Sequence, residues 1–426
     1  MTNVPGPATP RRRPLPAAVR RFMHTEAAGG VVLLFAAVIA LVWANSTWRS
    51  GYVAMWETKA SLGIGDLTRS EDLRHIVNEA LMALFFLVVG LEIKRELVTG
   101  QLSQWRNAAV PALAALGGMV VPAAIYAAFN NGSAGSDGWG IPMARDIAFA
   151  LGVVAVLGRR VPPSLRIFLL TLAIVDDIGA IVVIAVFYSS SIAWPALGAA
   201  AALLAATIAL RVAKVGWLPA YLAVGIGMWL AFYESGIHAT LAGVILGLLT
   251  PARPAASPAL AVEIDATDSE PVSDSDVVSV AERLQHQLHP LTSFVVVPLF
   301  ALANAGVEFR ADALDAEGAG AVATGVGAGL IGGKIIGVTG FTWLATRLGL
   351  GPIPRGSTWP QVVGISAVAG IGFTVSLFIA GLAFPDPGLE AAAKIGILAA
   401  SLIAALIGIG LLIASARSAK QQVQQA

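Results

Sequence analysis

One apolar stretch of this chain, residues 169–187, carries two acidic residues at its centre. It reads LLTLAIVDDIGAIVVIAVF, which is long enough to cross a bilayer, and Asp176 and Asp177 are adjacent in its middle. An acidic residue at the centre of a bilayer costs about 2.5–3.5 kcal/mol on insertion scales. A chain that carries such a pair at this depth is therefore predicted to place a cation or a proton there.

The composition of the chain indicates a polytopic membrane protein. Of its 426 residues, 57% are hydrophobic and only 12% are charged, whereas an ordinary soluble domain is about 25% charged. The 45 glycines and 23 prolines suit closely packed and interrupted transmembrane helices. The absence of cysteine excludes disulfides and thiolate chemistry. The first apolar run does not read as a cleavable signal peptide, so the basic segment before it is expected to fix orientation.

Apolar runs of about 20 residues predict an all-α membrane protein with about twelve transmembrane helices. The predicted spans are 27–45, 75–98, 106–129, 139–158, 164–188, 195–213, 217–234, 236–249, 288–308, 320–346, 360–384 and 390–414. Lysines and arginines concentrate on alternate connections, which the positive-inside rule makes cytoplasmic, so both termini are expected in the cytoplasm. The connection 46–74 mixes both signs of charge and departs from this pattern.

Three parts of the chain are distinguished by composition. A basic tail (1–25) precedes one transmembrane domain (26–415), and a short tail (416–426) follows it. Within the domain, residues 251–284 are rich in proline, serine and acidic residues. This composition predicts a disordered cytoplasmic linker, with a docking site for a partner as the alternative.

Two of the predicted spans are interrupted. In the fourth, IPMARDIAFALG places a proline, Arg145 and Asp146 inside apolar sequence, and in the eleventh, SAVAGIGFTVSLFIAG places glycines before a threonine. These segments lie in corresponding places of two three-helix groups, 106–188 and 320–414. Interrupted helices at matching positions predict inverted repeats whose broken helices cross at the midplane, next to a transport site.

The two central aspartates are the predicted site of ion exchange. Neighbours in a helix point about 100° apart, so one carboxylate can face an ion cavity while the other reaches a neighbouring helix. Carboxylate oxygens are ligands for small, hard cations, which makes Asp176 and Asp177 the candidate ligands of a transported ion. A site that holds either a cation or protons acts as an exchanger by mass action. The alternative is a pair that a basic neighbour merely neutralises.

Three further charged residues are candidates for charge compensation. Lys334, in LIGGKIIG, is expected to pair with one aspartate or to offset half-helix C-termini, or alternatively to reach an interface. Asp146 would balance the positive N-termini of half-helices. Arg145 is expected to pair with Asp146 or to turn outward; pointing inward, it would weaken cation binding.

Several titratable residues are candidates for a response to pH. His238 lies in apolar sequence and titrates near neutrality, although a structural role is the alternative. Glu92 and Arg95 belong to a charged helix end that is equally explained by solvation. His286 and His289 open the ninth span, and their spacing also fits a metal pair for which no third ligand is evident.

Taken together, six motifs resemble the NhaA-type sodium/proton antiporters. They are GLEIKREL, RDIAFALG, LAIVDDIGAI, SGIHATLAGVILG, HPLTSFVVVPLFALANAGV and GGKIIG. The similarity covers residues 24–415 and implies a bacterial inner-membrane protein that exports Na⁺ or Li⁺ in exchange for protons. It implies electrogenic exchange that rises at alkaline pH, and no enzymatic activity, cofactor or nucleic-acid partner. A homodimer is one expectation for its assembly, which the sequence leaves open.

The resemblance also implies roles for single residues. Asp177 and Asp176 would carry ion and proton, with Lys334 as the partner of Asp176. Asp146 would neutralise the crossing of the broken helices. Residues at positions linked to the pH response are Glu92, Arg95, His238, His286 and His289.

The chain departs from the family pattern at several places. Arg145 and Gln285 stand where the family commonly has Thr and Glu, Glu79 replaces an Asp, and the acidic loop is longer than usual.

Three other functions fit the sequence less well. An intramembrane aspartyl protease would need its GxGD motif in a span, but the motif at 63–66 lies in a polar loop. A retinal-type pump would need aromatic walls around Lys334, whose neighbours are glycines. A passive cation channel would need a continuous polar pore, whereas the polar residues cluster at one level.

Overall fold

Helices make up most of the molecule. The computed structural model describes residues 17–64, 67–189, 192–213, 218–252, 279–309 and 316–425. The helices are α1 (Ala17–Ala44), α2 (Arg49–Trp56), α3 (Leu73–Val98), α4 (Trp105–Asn130), α5 (Ile147–Leu157), α6 (Pro163–Phe187), α7 (Trp194–Val212), α8 (Leu218–Ser235), α9 (Thr240–Leu249), α10 (Val280–Asn304), α11 (Ala319–Arg347), α12 (Trp359–Val368), α13 (Phe373–Ala383) and α14 (Pro387–Gln425). The two strands are β1 (Lys59–Ile64) and β2 (Leu67–Asp72).

The structure confirms an all-α membrane architecture. Among the described residues, 8 helical segments are long and apolar enough to cross a membrane, and bent pairs raise that number to at most 10. Helix α9 is apolar but has only 10 residues. Each predicted span overlaps a helix, yet length and composition alone leave the predicted count of twelve unconfirmed.

The predicted polar loop 46–74 contains regular structure. Helix α2 turns by 116° from the preceding segment Ala28–Ala44. Strands β1 and β2 then pair antiparallel, from Lys59 opposite Asp72 to Ile64 opposite Leu67. The Asp72 side chain accepts a hydrogen bond of 2.6 Å from the backbone N–H of His75, which caps α3. The hairpin therefore leads directly into the second long helix.

Parts of the sequence-based domain division lie outside the described residues. These parts are residues 1–16 of the basic tail and residues 253–278 of the acidic linker. The last two residues of the motif at 63–66 also lie outside them. The tail predicted from residue 416 continues α14 as a helix to Gln425. The functional division into tails, linker and transport domain remains a prediction.

Both predicted interruptions are present. In the fourth span a 3₁₀ helix, Ser136–Met143, is followed by extended backbone before α5 begins at Ile147. Proline cannot donate a backbone hydrogen bond, and Pro142 lies near the end of the 3₁₀ helix. In the eleventh span α12 and α13 are separated by residues 369–372 and meet at 48°.

The two interruptions contact each other and satisfy part of each other's backbone. The N–H of Asp146 donates to the carbonyl of Ile371 at 2.7 Å. The hydroxyl of Ser376 donates to the carbonyl of Ile141 at 2.9 Å. Ser401 of α14 accepts from the N–H of Gly372 at 3.2 Å. Unwound backbone inside a membrane protein persists only where such partners, or water, replace the lost helical bonds.

Helices α4 and α11 approach backbone to backbone. A methyl group added at Gly337 would overlap the carbonyl oxygen of Gly117, and one added at Gly117 would overlap Gly337 and Phe341. Small residues permit such close packing in membranes, where van der Waals contact drives association of helices. This contact holds α11, and Lys334 on it, against α4.

Replacing Gly337 by alanine is expected to destabilise the protein by about 1–3 kcal/mol, since the two backbones must separate. The measurement is thermal unfolding of the purified protein in detergent. Gly340→Ala on the same helix is the matched control, because an added methyl there meets nothing within 4 Å. Equal unfolding temperatures for the two variants would show that the close approach does not contribute to stability.

Candidate functional site

The adjacent aspartates of α6 point into different surroundings. Asp176 is only 1% exposed, and its Oδ2 lies 3.2 Å from the Lys334 Nζ and 3.3 Å from a terminal nitrogen of Arg145. Asp177 instead lines a cavity, which Asp176 does not. This division follows from the angle of about 100° between neighbours on a helix. One carboxylate is thus held by cations while the other faces the cavity.

Lys334 is fully buried at the centre of α11. Its ammonium donates to Asp176 and, at 2.6 Å, to the carbonyl of Met143. Met143 ends the 3₁₀ helix of the interrupted fourth span, so the lysine also binds a carbonyl at a half-helix C-terminus. Lys334 thus contacts both of the partners that the sequence offered as alternatives, and its role in charge compensation stays a prediction.

Arg145 points inward, which is the third of the placements that the sequence left open, and it neither pairs with Asp146 nor turns outward. The side chain is 1% exposed, and its ion pair is with Asp176. The reason lies in the backbone, which is extended through residues 144–146 and so turns Arg145 and Asp146 in different directions. Asp176 therefore has a second buried cation beside Lys334.

Asp146 joins the two interrupted helices. One carboxylate oxygen accepts from the N–H of Phe149 at 3.0 Å, capping α5. The other accepts from the N–H of Thr374 at 3.2 Å and from its hydroxyl at 2.6 Å, at the start of α13. A single negative charge thus lies at two positive helix N-termini, and the charge-compensating role of Asp146 stays a prediction.

The cavity lies between the interrupted helices and helices α1, α3, α6 and α10. Its volume is about 60 Å³, which is enough for several water molecules. The polar residues that line it are Asp177, Arg145, Asp146, Glu92, His289, Thr292, Ser293 and Thr374. Asp177 therefore faces a small cavity that is lined by both polar and apolar residues and has room for a few water molecules or a partly dehydrated cation.

The residues expected to respond to pH do not form one cluster. Glu92 and His289 line the cavity, whereas His286 is exposed one turn nearer the start of α10. Arg95 forms an ion pair of 3.6 Å with Glu96. His238 contacts the carbonyl of Tyr188, beyond the end of α6, at 2.7 Å through Nε2.

Sequence reasoning assigned no role to two hydroxyl residues of the site. Thr374 binds Asp146, and Ser401 accepts from the backbone N–H groups of Gly372 and Phe373. The threonine two residues after the glycines of GIGFT was the available signal for the first. Nothing in the sequence distinguishes Ser401 from the other small polar residues of α14.

The arrangement can exchange a hard cation for a proton. Asp177 offers carboxylate oxygens to a cavity of limited size, and carboxylates suit hard cations. The charge of Asp176 is already offset by two buried cations. Asp177 is therefore the candidate carboxylate for competition between a cation and a proton.

The sequence of the chain is similar to those of proteins named as antiporters. Residues 20–412 match the family model described as Na+/H+ antiporter 1. A Frankia alni protein named Na(+)/H(+) antiporter NhaA 3 is 47% identical over 417 residues, which cover 95% of this chain and 90% of that protein. The Na(+)/H(+) antiporter NhaA of Rhodopirellula baltica is 46% identical over 413 residues, with coverage of 92% and 93%. The protein of that name in Citrobacter koseri is 45% identical over 394 residues, with coverage of 92% and 96%.

Proposed function

The chain belongs to the Na+/H+ antiporter 1 family, and we propose that it exchanges Na⁺ for H⁺ across a membrane at a site centred on Asp177. The observation that carries the proposal is the different placement of the two aspartates. Asp177 lines the cavity between the interrupted helices, while Asp176 is bound to Lys334 and Arg145. The names of the relatives support Na⁺ and H⁺ as the substrates.

Exchange follows from competition at one carboxylate. When Asp177 is ionised it binds Na⁺ together with neighbouring oxygens, and when a proton binds instead the cation leaves. Asp146 would keep the two half-helix N-termini neutralised in both states, because its two carboxylate oxygens bond to both of them. The cavity then needs to open to one side of the membrane at a time, by movement of the broken helices against the rest.

Electrogenic exchange requires more than one proton for each Na⁺. A guanidinium keeps its proton in proteins, so Arg145 is not the second carrier. We assign the second proton to the ion pair of Asp176 and Lys334. Asp176 directly precedes Asp177 on α6, and Lys334 lies on α11. Regulation by pH is assigned to Glu92 and His289, since these candidates line the same cavity.

The orientation proposed for the protein has both termini in the cytoplasm of a bacterial cell. The support is the distribution of lysines and arginines along the chain, which favours one face of the helix bundle. That face includes the starts of α4, α6 and α12. Location in the inner membrane agrees with the bacterial sources of the relatives.

The test is transport by the purified protein in liposomes. An imposed pH gradient, acidic inside, is expected to drive uptake of ²²Na⁺ or ⁶Li⁺, and added Na⁺ is expected to dissipate the gradient reported by a dye. Protein-free liposomes are the control. Uptake of Na⁺ without proton movement would instead identify a channel, and no uptake of either ion at any pH would reject the proposal.

Replacing Arg145 by threonine is expected to lower the half-saturating Na⁺ concentration by about tenfold, because a buried positive charge beside the site is removed. Asp176 keeps Lys334 as its partner in this variant. The measurement is the Na⁺ dependence of exchange in liposomes. Arg347→Thr, which removes an exposed arginine of α11, is the matched control. An unchanged Na⁺ dependence would show that Arg145 does not act on the cation.

A further inference from the structure

A second, larger cavity lies away from the aspartates, at the face of the bundle where α4 and α6 begin. Its volume is about 510 Å³, within the range of sites for small organic ligands. It shares no lining residue with the cavity of Asp177. The connection between α11 and α12 forms its third wall, fixed by a hydrogen bond of 2.5 Å from the Ser164 hydroxyl to the carbonyl of Arg355.

The charge of this cavity is positive. Arg106 and Arg355 line it, and no aspartate or glutamate does so within the described part of the chain. Neither arginine forms an ion pair with any residue that the structure describes. Helices α4 and α6 begin here, after Gln104 and Pro162. The side chains of these two residues accept no hydrogen bond from the first backbone N–H groups of the helices. Their N-termini add a weaker attraction for an anion.

Apolar side chains also line the cavity. Val110 and Phe168 are buried and Ile167 is partly buried, whereas both arginines are exposed. Trp105, which is 75% exposed, precedes Arg106 at the start of α4, and Trp359 lies at the start of α12. Exposed tryptophans at helix ends mark the level of the membrane–water interface. The exposed arginines suit the anionic headgroup of a phospholipid, and the buried apolar side chains suit its acyl chain.

We propose that this cavity binds an anionic phospholipid of the cytoplasmic leaflet, with the phosphate at Arg106 and Arg355 and an acyl chain along the apolar wall. The cytoplasmic side follows from the excess of arginines on these connections. Basic pockets between transmembrane helices on this side are suited to anionic headgroups. Binding would tie the starts of α4 and α6 to the α11–α12 connection, and it is independent of the exchange proposed at Asp177.

The test is native mass spectrometry of the full chain in detergent, titrated with phosphatidylglycerol or with phosphatidylcholine. The unmodified protein is expected to retain phosphatidylglycerol in preference to phosphatidylcholine. The double variant Arg106→Gln/Arg355→Gln is expected to bind phosphatidylglycerol about 30-fold more weakly, from the loss of two charges near a headgroup. Arg106→Lys/Arg355→Lys, which keeps both charges, is expected to retain most of the affinity.

The matched control is Arg160→Gln/Arg347→Gln, which removes two exposed arginines that do not line the cavity. Equal affinities of this control and of the cavity variant would overturn the proposal. Equal retention of the two lipids would overturn it as well. Inorganic phosphate that displaces the lipid at equal concentration would identify a phosphate site without a contribution from the acyl chain. Transport activity is not the readout, so failure here leaves the exchange at Asp177 untouched.

Discussion

Exchange of Na⁺ for H⁺ is expected to fall at least about 100-fold when Asp177 is replaced by asparagine. Loss of a group that only supports a metal ligand already lowers metal affinity or activity by about 10–100-fold, and Asp177 is proposed to be a ligand itself. Asparagine keeps the shape of the side chain but cannot be ionised, so it removes both the charge that holds the cation and the group that takes the proton. The measurement is Na⁺-driven proton movement in liposomes that contain equal amounts of each protein.

Asp137→Asn is the matched control for this prediction. Asp137 is exposed near the start of the 3₁₀ helix, and its backbone carbonyl accepts a hydrogen bond from the Tyr188 hydroxyl. This control is expected to exchange at the rate of the unmodified protein. Exchange retained by Asp177→Asn would remove Asp177 from the site, provided that both variants elute as the same folded species.

Replacing Asp176 by asparagine is expected to destabilise the protein by about 3–5 kcal/mol, since it leaves buried charges without their partner. Both Lys334 and Arg145 bind the same oxygen of Asp176, and both side chains are buried. The measurement is thermal unfolding in detergent, with Asp137→Asn again as the control for the chemical change.

A compensating variant separates the loss of the ion pairs from any general damage. Arg145→Thr in the Asp176→Asn background removes one of the two unpaired cations, while Lys334 keeps the carbonyl of Met143. The double variant is expected to regain a large part of the lost stability. Unchanged stability of Asp176→Asn, or no recovery in the double variant, would mean that Asp176 does not hold these two cations in place.

The sequence predicted those parts of the fold that depend on local chemistry. Helix α6 was predicted within one residue at each end, because a long and mainly apolar run follows a proline pair. Proline and glycine likewise marked the interruptions. The hairpin in the loop 46–74 was missed, because its pairing depends on contacts between strands whose residues are polar and of mixed charge.

The candidate site shows where such reasoning ends. The burial of Lys334 and its approach to an aspartate could be predicted, because a lysine in a glycine-rich span has few other partners. The direction of Arg145 could not, because helical periodicity gives no information about a residue in extended backbone. The hydrogen bond from the Asp146 N–H to the Ile371 carbonyl could not be predicted either, because it depends on how two breaks that are distant in the sequence meet in the fold.

The resemblance of motifs also assigned one role, the response to pH, to residues that lie apart in the fold. His286 and His289 are one turn apart on α10, yet only His289 reaches the cavity. His238 lies beside Tyr188, which follows the last residue of α6, whereas Asp177 lies in the middle of that helix. A response to pH that involves all these residues would therefore have to arise at separate places in the molecule.

The most direct test of competition at Asp177 is the affinity of the purified protein for Na⁺, measured by isothermal titration calorimetry at several pH values. If at least one proton competes with each Na⁺, the dissociation constant is expected to rise at least about tenfold for each unit that the pH falls below the range where the site is ionised, and more steeply if the proton of the Asp176–Lys334 pair also competes. Asp177→Asn is expected to bind no Na⁺ at any of these pH values. A dissociation constant that is independent of pH would contradict the account.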